Sequence, residues 1–391
     1  MIPERFVHPD MALPEPTPDA LAHSDRVAAL IRGEIAAGGG WISFARYMEL
    51  ALYAPGLGYY SAGAKKLGKG GDFVTAPEIS PLYGQTLARQ VLQVMGPGFD
   101  AILEVGAGSG VLAATLLEEL ERSGSAPQSY LILELSADLR ERSRDTLAAR
   151  VPHLLERVAW LNRLPPAFSG VVIGNEVLDA MPVNVVRVKS GKAEEGGVGV
   201  RNGRLDWSWK LASGEVLEAT TALALPEGFR TEIGLAARGF LRSLAGVLEK
   251  GVALFVDYGF PQKEYYHEQR SEGTLMCHYR HQAHADPFLL PGLQDITSHV
   301  DFSAVAAAAR SGGLELAGYT SQAQFLVNCG ITQIMARTPA ADQGRFLPLA
   351  NQANRLMSPA EMGELFKAVA FEREFGAPLE GFREGDRRQA L

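Results

Sequence analysis

The chain has little cysteine: Cys277 and Cys329 are the only two in 391 residues. Two thiols cannot build a disulfide framework, so a packed core must hold the fold, and the count suits a reducing compartment. There is no basic excess either. The 37 lysines and arginines face 45 acids, a net charge of −8, which argues against nucleic acid as the main partner. No apolar run is long enough to span a bilayer. The amino terminus lacks the basic-then-apolar secretory pattern, and Glu4, Asp10 and Glu15 interrupt an acid-poor transit pattern. No repeat recurs along the chain. These absences lead us to expect a soluble cytoplasmic protein, bacterial in character. What is present suits a globular core: 47% apolar and 21% charged residues, enough for one large domain with insertions or for two domains.

The most informative stretch is Ala101-Ile-Leu-Glu-Val-Gly-Ala-Gly-Ser-Gly-Val-Leu112. It reads as strand, glycine turn, helix, with Gly106, Gly108 and Gly110 letting a ligand press on bare backbone and the helix start supplying N–H groups. Strands at 101–105, 130–134, 158–160 and 171–175 alternate with helices at 110–122 and 136–149, which implies a parallel sheet. Before them, helices are expected at 20–37, at Ile42–Tyr53 with Ser43 as cap, and from Ser80-Pro81 to about Met95. Residues 183–231 read as a β-rich insertion with an Asn202-Gly203 hairpin turn. The core resumes with a helix at 232–249 and a strand at 252–257. A long loop, 260–300, precedes a helix capped by Asp301, and the chain ends in helices and two strands, the last running antiparallel. The expected divisions are an N-terminal segment, 1–79, a core of 80–182 and 232–391, and the insertion.

A glycine turn alone is weak evidence. The G-x-G-x-G spacing departs from the dinucleotide fingerprint, and Glu104 lies inside the strand, where a carboxylate would repel a pyrophosphate and attract an ammonium or sulfonium. Glu134 ends the next strand, where an acid accepts ribose hydroxyls. Glu104-x-Gly-x-Gly-x-Gly110 resembles motif one of the class I S-adenosylmethionine-dependent methyltransferases. Gly71-Asp-Phe-Val-Thr-Ala-Pro-Glu-Ile-Ser80, Gly174-Asn-Glu-Val-Leu-Asp-Ala-Met-Pro-Val183, Asp257-Tyr-Gly259 and Gln294-Asp-Ile-Thr-x-His-Val-Asp-Phe302 resemble one family within them, the MidA family, whose mitochondrial members are protein arginine methyltransferases serving respiratory complex I assembly. The resemblance implies a Rossmann-like α/β fold with a mostly parallel seven-stranded sheet, helices on both faces, S-adenosyl-L-methionine as cofactor, and a protein acceptor, with a complex I subunit as one candidate. It also implies that the loop bearing Asp72, Thr75 and Pro77 folds over the cofactor.

An arginine acceptor requires carboxylates to grip a guanidinium by paired hydrogen bonds. Glu176 and Asp179, three apart after the fourth strand, would share a helical face. With Asn175, which also belongs to the expected cofactor set, they are the catalytic candidates. Asp257 and Tyr258 end the fifth strand and are expected at the acceptor, with Tyr279 and Arg280 on the acceptor wall. Asp179 or Asn175 reads equally as a turn cap. His278, His281 and His284 lack a matching second cluster, so no metal is expected. Lys65, Lys66 and Lys69 read as a solvated loop. Two alternatives stay open: a small-molecule methyltransferase, and a cofactor-binding assembly factor that docks a partner. Residues 183–231 suit a homodimer interface as readily as a substrate platform.

Overall fold

A computed structural model describes residues 13–62 and 74–391. Asp72 and the Lys65, Lys66 and Lys69 cluster lie outside the described residues. The chain divides into two compact units, each drawn from separated segments.

One unit, Val74–Leu178, Arg238–Pro261 and Val300–Leu391, holds the large sheet. Its strands are β1 (Ala101–Val105), β2 (Ser129–Leu133), β3 (Val158–Leu161), β4 (Phe168–Asn175), β5 (Leu248–Phe260), β6 (Glu315–Ser321) and β7 (Phe366–Arg373). Their order is β6-β7-β5-β4-β1-β2-β3, with a short strand, Val300–Asp301, added beside β5. β5, β4, β1, β2 and β3 are parallel, and β7 is antiparallel to both of its neighbours. The expected seven-stranded sheet is thus present with its antiparallel last strand. The central strands are apolar because both faces are covered. Ile102, Tyr130, Ile173, Leu254 and Ala370 join one core with Leu87, Leu116 and Phe325 from the helices, each large apolar side chain contributing about 2 kcal/mol by burial. Helices Pro81–Val94 and Val111–Arg122 follow from their apolar stripes, the first capped by Ser80 and opened by Pro81 as expected. The register aligns Val105 with Gly174 and Val256 with Asn175. The carboxyl ends of β1, β4 and β5 therefore come out side by side, where open α/β sheets bind ligands.

The other unit comprises the described residues up to 62, Asp179–Ala237 and Gln262–His299. The N-terminal segment, the β-rich stretch and the 260–300 region, which the sequence separates, share this unit. Helices Pro18–Ala37 and Phe44–Tyr53 accompany a five-stranded antiparallel sheet of Ile42–Ser43, Asn184–Lys189, Lys192–Arg201, Arg204–Leu211 and Arg230–Ile233. Asn202 and Gly203 have φ of 51° and 76°, as the two-residue hairpin turn demands. Three local readings change. A helix, Gly214–Leu223, occupies part of the stretch read as all β. The helix expected at 232–249 splits into strand Arg230–Ile233 and helix Leu235–Val247, with Gly234 between them. The expected loop 260–300 contains a three-stranded sheet of Met276–Tyr279, Gln282–His284 and Asp295–Thr297, pinned by fully buried Cys277 and Ile296, which pair across it.

Candidate active site

β1 ends in a turn where Gly106, Gly108 and Gly110 have φ of 69°, 54° and 79°, a region costly for residues with a Cβ. Their amides are all committed within the protein. Gly106 N–H donates to the Leu133 carbonyl at 2.9 Å and Gly110 N–H to the Ala107 carbonyl at 2.9 Å, while Gly108 N–H donates to the Glu134 carboxylate. The turn therefore offers bare Cα surface at the glycines, as the sequence reading expects of them. Gly106 is exposed between buried Val105 and Ala107, and a Cβ on it would lie 3.1 Å from Val177 Cγ2. Gly110 is different. A Cβ there would meet the Ser143 Cα at 2.7 Å, so its smallness serves the packing of helix Ala137–Arg150 against the turn.

Two acids stand behind the glycines. Glu104 is 2% exposed and accepts the Tyr130 hydroxyl at 2.7 Å. Burial raises its pKa to about 7, the Tyr130 bond opposes the rise, and nearby Glu134 adds to it. Glu134 is 8% exposed and accepts Ser136 N–H at 2.9 Å; burial raises its pKa too, against the pull of its backbone donors. Beside it Leu135 is 67% exposed, an apolar side chain standing out next to a sunken carboxylate.

The end of β4 carries a second constellation. Tyr83 donates to Asn175 Oδ1, which orients the amide so that Asn175 Nδ2 donates to Glu176 Oε1 at 3.1 Å. Ala76 N–H donates to the same oxygen at 3.1 Å. Burial pushes the Tyr83 hydroxyl well above its usual pKa, so it remains a donor. Glu176 has φ of 52° and is followed by an irregular turn, not the helix that would set Glu176 and Asp179 on one face. Asp257 explains the turn: it is 1% exposed, its Oδ2 accepts Val177 N–H at 3.0 Å and Leu178 N–H at 2.8 Å, and its Oδ1 accepts Tyr258 N–H at 2.9 Å. The carboxylate expected to meet the acceptor thus braces the backbone after Glu176. Tyr258 packs on Phe366 with ring centroids 5.3 Å apart.

Thr75 stands at the N-cap position of the short helix Ala76–Ile79, with no capping bond from its side chain, and Pro77 lies in the first turn of that helix. From that helix Glu78 accepts the hydroxyl of Ser109, inside the glycine turn. The 75–80 segment is thereby joined to both strand ends. Asp179 and Tyr279 belong to the other unit. There the Asp179 carbonyl accepts Ser298 N–H at 3.0 Å, and Arg280 lies over the Tyr279 ring at 5.3 Å. His278 and His284 lie on neighbouring strands and His281 in the turn between them; burial lowers the His278 pKa to about 4. Among the described residues no three metal-binding side chains converge.

Tyr83, Tyr130, Glu78 and Ser109 escaped sequence reasoning. Tyr83 and Tyr130 occupy core-facing positions where an aromatic ring needs no further explanation. Their hydroxyls matter only through tertiary register, which sets Tyr130 diagonal to Glu104 across β1 and β2.

Comparison with known proteins agrees with this architecture. The profile of a family described as S-adenosyl-L-methionine-dependent methyltransferase matches residues 86–320. The mitochondrial protein arginine methyltransferase NDUFAF7 of Mus musculus is 30% identical over 85% of this chain and 81% of its own. Its Drosophila melanogaster homolog is 28% identical over 93% and 89%. A crystal structure from Burkholderia thailandensis, bound to S-adenosyl-homocysteine, is 51% identical, covers 97% of this chain and 100% of that one, and superposes with a TM-score of 0.94. With its glycine turn and paired acids on a sheet of this order, the chain belongs to the MidA family of S-adenosylmethionine-dependent methyltransferases.

Proposed function

We propose that this methyltransferase modifies arginine in a protein acceptor, with Glu176 holding the guanidinium. The observation that carries the reading is the fixed Glu176 carboxylate, one of whose oxygens takes donors from both Asn175 and Ala76. A carboxylate set in one rotation at a strand end can accept paired N–H groups from a planar guanidinium and later accept its proton. The names of the Mus musculus and Drosophila melanogaster relatives support the arginine acceptor.

The residues around the glycine turn fit the cofactor. Exposed backbone at Gly106 leaves room for close approach, Glu134 suits ribose hydroxyls, and exposed Leu135 suits an apolar base. Glu104 suits the cationic end of the molecule, because a buried carboxylate is stabilised by a nearby positive charge. S-adenosylmethionine, when bound, supplies an electrophilic methyl group on a cationic sulfur. The chain's own part is positioning. Tyr83 and Asn175 set the Glu176 carboxylate, Asp257 holds the backbone beneath it, and the 75–80 segment, Thr75 and Pro77 included, helps exclude water.

The test is transfer of labelled methyl from S-adenosylmethionine to a cell lysate, followed by acid hydrolysis of the protein fraction. Labelled methylarginine is expected. Label confined to small metabolites, or to another amino acid, would overturn the reading.

A further inference from the structure

The five-stranded sheet carries a groove of about 380 Å³ lined by none of the residues assigned above to methyl transfer. Strand Arg204–Leu211 contributes Trp207 and Trp209, stacked at 5.8 Å between ring centroids. Arg230, from strand Arg230–Ile233, which pairs with Asn184–Lys189 and not with the tryptophan strand, lies 4.5 Å from the Trp207 centroid and 5.8 Å from that of Trp209. Arg187 covers Trp209 at 4.0 Å and is neutralised by Glu194 at 2.6 Å. Lys189 stands exposed at the rim.

The cations are not equally satisfied. Arg187 has its ion pair. The Arg230 guanidinium has no hydrogen bond and no ion pair among the described residues, and its Nε is sealed from solvent. Glu232, the acid two residues on, is already occupied, accepting Thr274 N–H and its hydroxyl, Leu275 N–H and the Tyr265 hydroxyl. Burial depresses the Arg230 pKa, so the charge is costly where it sits. A half-buried guanidinium without an acceptor is an incomplete arrangement, since such groups are ordinarily hydrogen-bonded. Its planar fork matches a carboxylate. The indoles beside it offer apolar surface, and tryptophan and arginine together are the usual composition of protein-binding hot spots.

We infer that this groove docks a segment of a partner protein that presents a carboxylate beside an apolar or aromatic side chain, the carboxylate meeting Arg230 and Lys189 and the apolar group lying against Trp207 and Trp209. Charge complementarity selects this occupant over a nucleic acid. Glu227 and Glu272 also line the groove, and a phosphate at every nucleotide would meet them repeatedly, whereas a peptide can set a single acid against the cations. The inference concerns binding alone and does not depend on which residue is methylated.

The experiment is calorimetric titration of the full chain, without cofactor, with the capped peptide Ser-Gly-Phe-Asp-Leu-Gly, which carries a single acid beside apolar side chains. The same peptide with lysine replacing the acid, and oligothymidylate, serve as comparators. Saturable binding of the acidic peptide that weakens with added salt is expected. Lys189→Glu, at an exposed position, and Arg230→Gln should each weaken it about tenfold or more, with S-adenosylmethionine affinity unchanged as the measure of an intact fold. Absence of binding, equal binding of the lysine peptide, tighter binding of the oligonucleotide, or unaltered affinity in Lys189→Glu would each overturn the proposal.

Discussion

β1 and β4 are neighbours in the sheet, and both leave it through a residue with positive φ: Gly106 at 69° and Glu176 at 52°. The first has no Cβ and adopts that conformation freely. The second has a full side chain and is held there at a cost of about 1 kcal/mol. The restraints are Glu176 N–H on the Val256 carbonyl at 2.8 Å and the Asp257 grip on the next two amides. The glycine end is shaped for a ligand to lie against. The glutamate end is shaped to hold one carboxylate in place, with local strain as the consequence.

The comparison breaks most sharply at Gly106. Gly106→Val adds a branched side chain at positive φ where Val177 is already 3.1 Å from a single Cβ. Calorimetry should show S-adenosylmethionine binding lost by about 100-fold or more, with circular dichroism retained. Glu176→Gln should leave that affinity intact and lower turnover by about 100-fold, because a neutral amide would not grip the guanidinium of the proposed arginine acceptor in the same way. Asp257→Asn should lower turnover as well, and should reduce stability in urea by about 2 kcal/mol, since two backbone donors lose a charged acceptor.

Smaller effects sharpen the contrast. Glu104, with its pKa near 7, should make cofactor binding pH-dependent. As pH falls below 7 the carboxylate is protonated and attraction for a cation is lost, so affinity should drop by up to about tenfold per unit. Glu104→Gln should flatten that profile. Stability runs the other way. The folded pKa lies above the ordinary carboxylate value, the native state binds more protons between the two, and this contribution to stability falls as pH rises from about 4.5 to about 7. Urea midpoints at pH 5 and pH 8 report it, and Glu104→Gln should reduce the difference. The smallest effect isolates the strain: Glu176→Gly should be more stable than Glu176→Ala by about 1 kcal/mol, since both lose the carboxylate and only alanine keeps a Cβ at φ of 52°.

The glycine end was legible in the sequence and the glutamate end only partly. Strand, turn and helix around Gly106 depend on neighbours within a dozen residues, and periodicity reports such local order. The role of Asp257 arises from a contact 80 residues away in sequence with Val177, whereas the sequence alone offers only its place at the end of the fifth strand to go by. The same limit explains the helical turn expected after Asn175. Glu176 and Asp179 have helical spacing, but the backbone there answers to β5. The 260–300 stretch looked unstructured because its strands are three or four residues long, too short to show alternation, and their order rests on the burial of Cys277 against Ile296. Gly110 was grouped with its neighbours by motif, although the helix carrying Ser143 is what requires it.

The division into units has a consequence for how the molecule comes into being. The chain passes from one unit to the other between residues 62 and 74, and again at 178/179, 237/238, 261/262 and 299/300. No single cut releases either unit whole. During synthesis the large sheet cannot close until β7, at Phe366–Arg373, has emerged to take its place between β5 and β6. Until then β5 presents an unpaired apolar edge of the kind that invites misassembly. Folding of the methyltransferase sheet is therefore tied to β7, which follows the other strands of the sheet in sequence, and loss of that strand should be felt first as aggregation of newly made protein, before any question of catalysis arises.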